Sequence, residues 1–421
     1  MKRLKVLVSA YACSPYKGSE PGVGWGFVSE LSKYHDLWVI VEEEKFREDI
    51  EKFQSVNPNQ LSSVNFYFIH KKRNRWLRKL WPPSYYWYYH RWHQDAYRLA
   101  VQLHQEIGFD LAHQLTMVGF REPGYLWKLD IPFVWGPIGG MGLFPWRFIP
   151  IVGSMGAFYY LGYNLFNSIH MRFLKRPKLA AMVAGSGLIA MNKENQVGMY
   201  QYYGMPSEVC IPVGPPAVVV GTIVKRLTSE PLRIVWSGLH IHRKALNLAL
   251  YALSSLPSDI KWEFHILGDG ILTKKWQQYA YKVGISQRCI FYGQVSRDVA
   301  LEVMKHAHVH LMTSLREGTP TVIVEGFSFG LPTVCLDCSG MSDMVDYSCG
   351  IKIPVTTPSD VIDAIARALE QLARNEEKRQ VLAHGALQRG RDFAWEEKAR
   401  VIDRIYRAKM TGDGIVKKVK L

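Results

Sequence analysis

Cysteine is scarce: six thiols in 421 residues cannot staple a chain of this length, which excludes a disulfide-built scaffold and suits a reducing compartment. Cys335-Leu-Asp-Cys338 has the spacing of half a zinc knuckle. No second Cys or His pair matches it, and "LPTVCLDCSG" reads as a buried strand with its exit, so no metal site is expected. Asp-x-Asp is absent, as is the Gly-x-Gly-x-x-Gly dinucleotide fingerprint. Internal repeats are also missing. No apolar run is suited to crossing a bilayer. Phe148 to Phe166 carries no charge, but Pro150, four glycines or asparagines and three tyrosines interrupt it, so an interfacial helix or a core segment is expected. The opening "MKRLKVLVSAYACSP" is basic and then apolar. Its apolar run is short, and Tyr11 and Pro15 follow it, so it reads as a first strand rather than a secretory leader.

What remains is a globular composition, 48% hydrophobic and 21% charged, with ample length for two or three domains. Lys and Arg outnumber Asp and Glu by 52 to 37, a formal charge of +15. That excess favours an anionic partner without choosing between a phosphorylated ligand, a membrane surface and nucleic acid.

Short apolar runs alternate with helical patterns along the whole chain. "LKVLVSA", "LWVIVEE", "VNFYFI", "DLAHQL" and "IPFVWG" read as strands in the first half. "LRIVWSG", "WEFHILG", "RCIFYGQ", "VHLMTS" and "LPTVCLD" do so in the second. Strands alternating with helices imply parallel sheets with right-handed crossovers. Pro212 to Pro231, rich in Gly and Pro at its start, reads as a linker. The expected fold class is α/β, with two Rossmann-like doubly wound domains facing a cleft. Residues 1–215 form the N-terminal domain, 216–394 the C-terminal one, and 395–421 a closing helix and tail that cross back to the first domain.

Ligands of such sheets bind beyond the carboxyl ends of the strands. After the first strand, Gly18, Gly22, Gly24 and Gly26 crowd the approach to a helix, where backbone amides can meet an anion. After "VHLMTS", the stretch "SLREGTPTVIVEGFSFGLPTV" places Glu317 in a turn and Glu325 one turn inside a helix expected over residues 320–329, capped by Thr319. Amides of Gly318, Thr319, Thr321 and Val322 would stand beside two carboxylates. Donors for phosphate next to acceptors for hydroxyls are what a nucleotide-sugar requires.

The pair Glu317-x7-Glu325, with "CIFYGQVSRDVALEVMKHAHVHLMTSLREGTPTVIVEGFSFGLPTVCLDCSGMSDMV" around it, resembles the family 4 retaining glycosyltransferases of GT-B fold. "ACSPYKGSEPGVGW", "HQLTMVGFREPGYLWKLDIPFVWGPIGG" and "FAWEEKARVIDRIY" resemble a bacterial surface-polysaccharide branch of that family, so the likeness covers most of the chain. The resemblance implies transfer of a sugar from a nucleotide diphosphate donor, with retention, to a lipid-linked or saccharide acceptor. It implies catalytic parts for Glu317, Lys244 and His113, the last positioning the donor sugar. It also implies donor contacts from Gly22, Gly24, Arg243, Lys244, Gly293, Val295, Gly318, Thr319 and Glu325, with Glu325 on the ribose. No metal and no cofactor are called for, because Lys, Arg and helix termini neutralise the diphosphate in this family.

One departure stands out. In "SGLHIHRKALNL", Leu239 replaces the arginine and Ala245 the glycine of the family's pattern, and Arg243 is the neighbouring charge available to compensate. On the acceptor side, "HKKRNRWLRKLWPPSYYWYYHRWHQDAYRL" mixes basic with interfacial aromatic residues, as does a helix resting on an anionic leaflet. A cytoplasmic enzyme, peripheral on the inner membrane face and without nucleic acid, is the resulting expectation. The rival readings are a sugar-nucleotide epimerase or phosphorylase of the same fold, and a basic membrane-surface or nucleic-acid binding protein without catalysis. No segment offers a phosphorylase's pyridoxal lysine, and a pure binder leaves the strand-end carboxylates unexplained.

Overall fold

A computed structural model describes residues 2–72, 76, 84–215, 223–227 and 229–411. Thirteen strands are found among them. β1 (Lys5–Ser9), β2 (Asp36–Glu42), β3 (Val64–Ile69), β4 (Leu111–Gln114), β5 (Phe133–Ile138), β6 (Leu188–Ala190) and β7 (Glu208–Val209) form one sheet. β8 (Leu232–Ser237), β9 (Trp262–Leu267), β10 (Cys289–Gly293), β11 (Val309–Met312), β12 (Thr333–Leu336) and β13 (Gly350–Ile353) form another. The strand orders are β3-β2-β1-β4-β5-β6-β7 and β10-β9-β8-β11-β12-β13, and every named pairing is parallel. Each order reverses beside its first strand, at β1/β4 and at β8/β11, which is where a doubly wound sheet opens a crevice.

The helices are α1 (Glu20–Leu31), α2 (Glu43–Val56), α3 (Ser84–Ile107), α4 (Gly153–Phe173), α5 (Lys175–Ala184), α6 (Lys193–Tyr203) and α7 (Leu246–Ser254). They continue as α8 (Thr273–Lys282), α9 (Arg297–Lys305), α10 (Thr321–Ser328), α11 (Ser339–Met344), α12 (Pro358–Arg374), α13 (Glu376–Arg391) and α14 (Trp395–Thr411). Near-continuous apolar strands such as "VLVS" and "TVCL" are buried along their length because helices cover both sheet faces.

The chain divides into two compact units. The first holds residues 1–141, 169–212 and 395–421, and the second holds 142–168 and 213–394. Residues 142–168 thus group with the second unit although they precede the linker in sequence. Phe144, Phe148, Val152 and Tyr160 supply the reason, since they join the core built on Leu232, Ile234, Trp236 and Leu246. The Asn164 side chain accepts from the Phe144 amide at 2.8 Å and donates to the Phe144 carbonyl at 2.8 Å. Asn167 donates to the Gly142 carbonyl at 3.2 Å. Asn164, which breaks the uncharged stretch, and Asn167 just beyond it are therefore buried clamps on the chain entering the helix.

In the first unit, α14 lies against α1. A Cβ on Gly26 would stand 2.5 Å from the Trp395 ring, so only glycine admits that contact. No helix among the described residues is long and apolar enough to cross a membrane. Part of the basic aromatic segment 70–99 (residues 73–75 and 77–83) and part of the 212–231 linker lie outside the described residues.

Candidate functional site

The switch point of the second sheet brings two loops together. One follows β8 and carries Gly238 to Ala245; the other follows β11 and carries Thr313 to Pro320. Two hydrogen bonds hold them side by side, and a third ties the second loop to β8. Trp236 Nε1 donates to Thr313 Oγ1 at 3.1 Å, and Thr313 Oγ1 donates to the Lys244 carbonyl at 2.9 Å. The Leu315 amide donates to the Arg243 carbonyl at 2.8 Å. All these groups sit against a sheet end that residues far apart in sequence have fixed.

On this frame, Lys244 Nζ lies 2.8 Å from Glu317 Oε1, and the Arg243 guanidinium pairs with the same oxygen. Arg243 Nη1 also donates to the Arg316 carbonyl at 3.2 Å. Lys244 is only 8% exposed and lies over Gly238, where a Cβ would come within 3.1 Å of its Cε. Two cations on one carboxylate leave a unit of positive charge with little water around it. Such a cluster attracts a polyanion more strongly than an exposed pair would. Tyr160 of α4 lies beside Arg243; burial pushes its phenol up, and the Arg243 cation acts in the opposite direction. Tyr163, on the same helix face, sits under the Arg316 guanidinium at 4.2 Å from the ring centre.

Ala245 closes the first loop with φ 45 and ψ 43, the left-handed conformation that glycine adopts freely and alanine adopts at a cost of about 1–2 kcal/mol. Leu239, in place of the family's arginine, is 55% exposed. Arg243, four residues further on, is a cation that pairs with Glu317. A local turn at His242–Lys244 carries it there.

The second carboxylate, Glu325, occurs within α10, and Arg297 at the start of α9 pairs with it at 2.9 Å. Arg297 was missed in the sequence because it lies 28 positions away, with no local pattern to flag it. The helix begins at Thr321 with Pro320 as its N-cap in extended geometry, and not with Thr319; no side chain caps it. Gly318 sits on α11, where a Cβ on Gly340 would meet the Gly318 carbonyl at 1.8 Å. Gly293 ends β10 with φ 68, and its carbonyl accepts from the Gly268 amide at 3.0 Å. Val295 is half-buried against Val235, Leu267 and Met304. Gly293, Val295, Gly318, Thr319 and Glu325 thus all belong to the second unit: Gly293 ends a strand, Val295, Gly318 and Thr319 lie in the loops that follow strands, and Glu325 lies in α10.

The first unit treats its candidates differently. His113 in β4 is fully buried, with Nε2 2.8 Å from the Gly136 carbonyl and Nδ1 2.6 Å from the Tyr406 hydroxyl. A carbonyl only accepts, so Nε2 carries the proton and Nδ1 accepts from Tyr406. Burial pushes the imidazole down to about 4, against a smaller opposing effect of the Gly136 bond. Both ring nitrogens are taken up within the first unit, which leaves the backbone as the route to the positioning part expected of His113. Gly22 and Gly24 do not form a loop; both lie in the first turns of α1. A Cβ on Gly24 would fall 2.1 Å from the Ala12 carbonyl, and one on Gly22 would fall 2.8 Å from the Lys17 carbonyl. Close backbone packing accounts for both. Glu20, at the head of this helix, accepts from the amides of Met117 and Val118 at 2.7 and 3.1 Å, a contact that the sequence did not signal.

None of the six cysteines is in a disulfide, and Cys338 Sγ donates weakly to the Ser314 and Leu315 carbonyls. Among the described residues, no group of three His, Cys, Asp or Glu side chains could hold a metal ion.

Residues 224–389 match the family model of the glycosyl transferases group 1. Over 108 residues the chain is 36% identical to a lipopolysaccharide 1,6-galactosyltransferase of Salmonella typhimurium, covering 25% of this chain and 30% of that protein. Over 87 residues it is 33% identical to the protein of the same name from Escherichia coli, covering 20% and 24%. The chain thus spans less than a third of the length of these curated relatives. Among solved structures it is similar to the apo lipopolysaccharide outer core galactosyltransferase WaaB, with a TM-score of 0.62 and 16% identity over 95% of this chain and 99% of that one. It also resembles WaaG, a glycosyltransferase involved in lipopolysaccharide biosynthesis, with a TM-score of 0.56 and 15% identity over 95% and 99%. Anabaena HepE in complex with UDP aligns with a TM-score of 0.60 and 15% identity over 96% and 100%. At these identities the likeness establishes the fold, that of the GT-B glycosyltransferases.

Proposed function

We propose, from the match of residues 224–389 to the family model of the group 1 glycosyl transferases, that the chain moves a sugar from a nucleotide diphosphate donor to a saccharide or lipid-linked acceptor in polysaccharide or lipopolysaccharide assembly. The single observation that carries this reading is the convergence of Arg243 and Lys244 on Glu317 at the β8/β11 switch point. The names of the curated relatives support the pathway class.

In the proposed complex the diphosphate draws Lys244 and Arg243 toward its oxygens, which frees Glu317 to accept hydrogen bonds from the donor sugar. The amides at the start of α10 add a positive partial charge. Glu325 takes the ribose hydroxyls in place of its contact with Arg297. We favour front-side displacement with retention. The anomeric carbon–phosphate oxygen bond breaks, the acceptor oxygen bonds the same face, and its proton passes to the leaving phosphate oxygen. The side chains position the partners and stabilise charge that grows on the diphosphate. Two fixed cations supply that stabilisation, and the step as written draws on no metal.

A thermal-shift screen with UDP, GDP and dTDP tests the reading. A nucleotide at a hundredfold excess over its Kd stabilises the folded chain by about 2.7 kcal/mol. One of the three is expected to raise the midpoint, and the gain should disappear in Lys244→Ala. A chain stabilised by none of them would be a surface-binding protein, and the transfer proposal would fall.

A further inference from the structure

Helix α4 is sorted inside out. Its buried side carries Gly156, Tyr160, Asn164 and Asn167, whereas Met155, Phe158, Tyr159, Leu161 and Leu165 are exposed. The exposed set recurs at the three- and four-residue spacing of one helix face, and it includes Phe158 at 84% and Met155 at 78%. Ile169 and Phe173 continue the same line toward the helix end, and Trp146 is exposed in the turn just before it. A helix facing water places its polar residues outward. Scattered apolar residues at a surface need no explanation, but a row of this length marks an interaction face.

Charge decides what covers it. From Ile131 to Lys193 the sequence contains no Asp or Glu, while Arg147, Arg172, Lys175, Arg176, Lys178 and Lys193 fall in the same span. Arg147 precedes α4 and Arg172 lies in its last turn, both exposed, and the exposed Lys175 and Lys178 follow in sequence. A second copy of this chain pairing face to face through the row would set cation against cation. An anionic leaflet accepts both components, apolar side chains below the headgroups and Lys or Arg at their level. The helix does not span: three glycines and two buried asparagines interrupt it, and it is not apolar enough to cross.

We propose that the outer face of α4, with its flanking cations, is the surface by which this chain rests on an anionic bilayer, the helix lying in the interface plane. This goes beyond sugar transfer and does not depend on it. Binding is read without donor or acceptor, so an inactive chain that binds and an active chain that does not are distinct results.

The test is co-sedimentation of the full chain with phosphatidylcholine vesicles containing about one-third phosphatidylglycerol, against pure phosphatidylcholine. The parent should bind the anionic vesicles at low salt, and the double variant Phe158→Glu, Leu165→Glu should bind about tenfold more weakly with an unchanged melting midpoint. A second variant, Arg172→Ser with Lys175→Ser and Lys178→Ser, leaves the apolar row intact and should lose the salt-sensitive part of binding. Parent protein that stays in the supernatant overturns the proposal, as does full binding by both variants. So does a lipid-free dimer in sedimentation velocity that the Phe158→Glu, Leu165→Glu pair dissociates, since a second copy would then be the occupant.

Discussion

At the end of β4 a histidine is held by a carbonyl and a phenol, and at the end of β11 a glutamate is held by two cations on an adjoining loop. β4 and β11 are topologically equivalent, each beside the reversal of its own parallel sheet, with His113 inside β4 and Glu317 in the loop that follows β11. In the first unit, the groups at this position satisfy one another completely, and burial keeps the imidazole neutral. The second unit concentrates charge there and leaves it unbalanced. Equivalent strand ends therefore need not carry equivalent chemistry. What separates them is whether the polar atoms are used up by the fold.

The largest test of that contrast is Glu317→Gln. Turnover, followed as release of the nucleoside diphosphate, should drop by roughly a hundredfold or more, about 2.7 kcal/mol of barrier. Unchanged turnover would remove Glu317 from the site and level the two units. Next comes His113→Ala, which removes both hydrogen bonds and leaves the Tyr406 hydroxyl buried without its partner. A loss of about 2–4 kcal/mol is expected in urea denaturation, with the fall in folded fraction exceeding any fall in turnover per folded molecule.

The same variant carries a pH signature. The folded His113 titrates near 4, below its unfolded value, so the unfolded chain binds the extra proton between about 6.5 and 4. Stability from the neutral ring is complete above that window and is lost as pH falls through it. In His113→Ala the stability-against-pH curve should be shallower there. An activity loss in a variant of parental stability would instead return His113 to the chemistry. The smallest effect is expected of Ala245→Gly, a gain of roughly 0.5 kcal/mol as relief of the left-handed strain is partly offset by glycine's entropy. A loss above about 1 kcal/mol in the same denaturation assay would mean that the buried methyl group outweighs the strain.

Ten of the strands were legible because each is an apolar run of four or more residues bounded by turn signals. β6 and β7 were not, being three and two residues long, and β13 was not because Lys352 interrupts its apolar run. The Glu317 turn could be read because strand end, proline and helix lie within a dozen positions. His113 could not, because the hydroxyl that occupies its ring comes from 293 positions away. Gly22 and Gly24 look alike in sequence whether they form a loop or open a helix; the structure places them in the first turns of α1, packed on the Ala12 and Lys17 carbonyls. The uncharged stretch 148–166 packs into the core on one side and exposes apolar side chains on the other. Composition alone assigns no side.

Through Tyr160 and Tyr163 the inner side of α4 touches Arg243 and Arg316, while the outer side is the apolar row. A chain seated on lipid by that row would carry its two arginines about one helix diameter, roughly 10 Å, above the plane of contact. The helix would then act as a spacer that fixes the height of sugar transfer over the headgroups, so that an acceptor's reach from the membrane becomes part of how it is chosen.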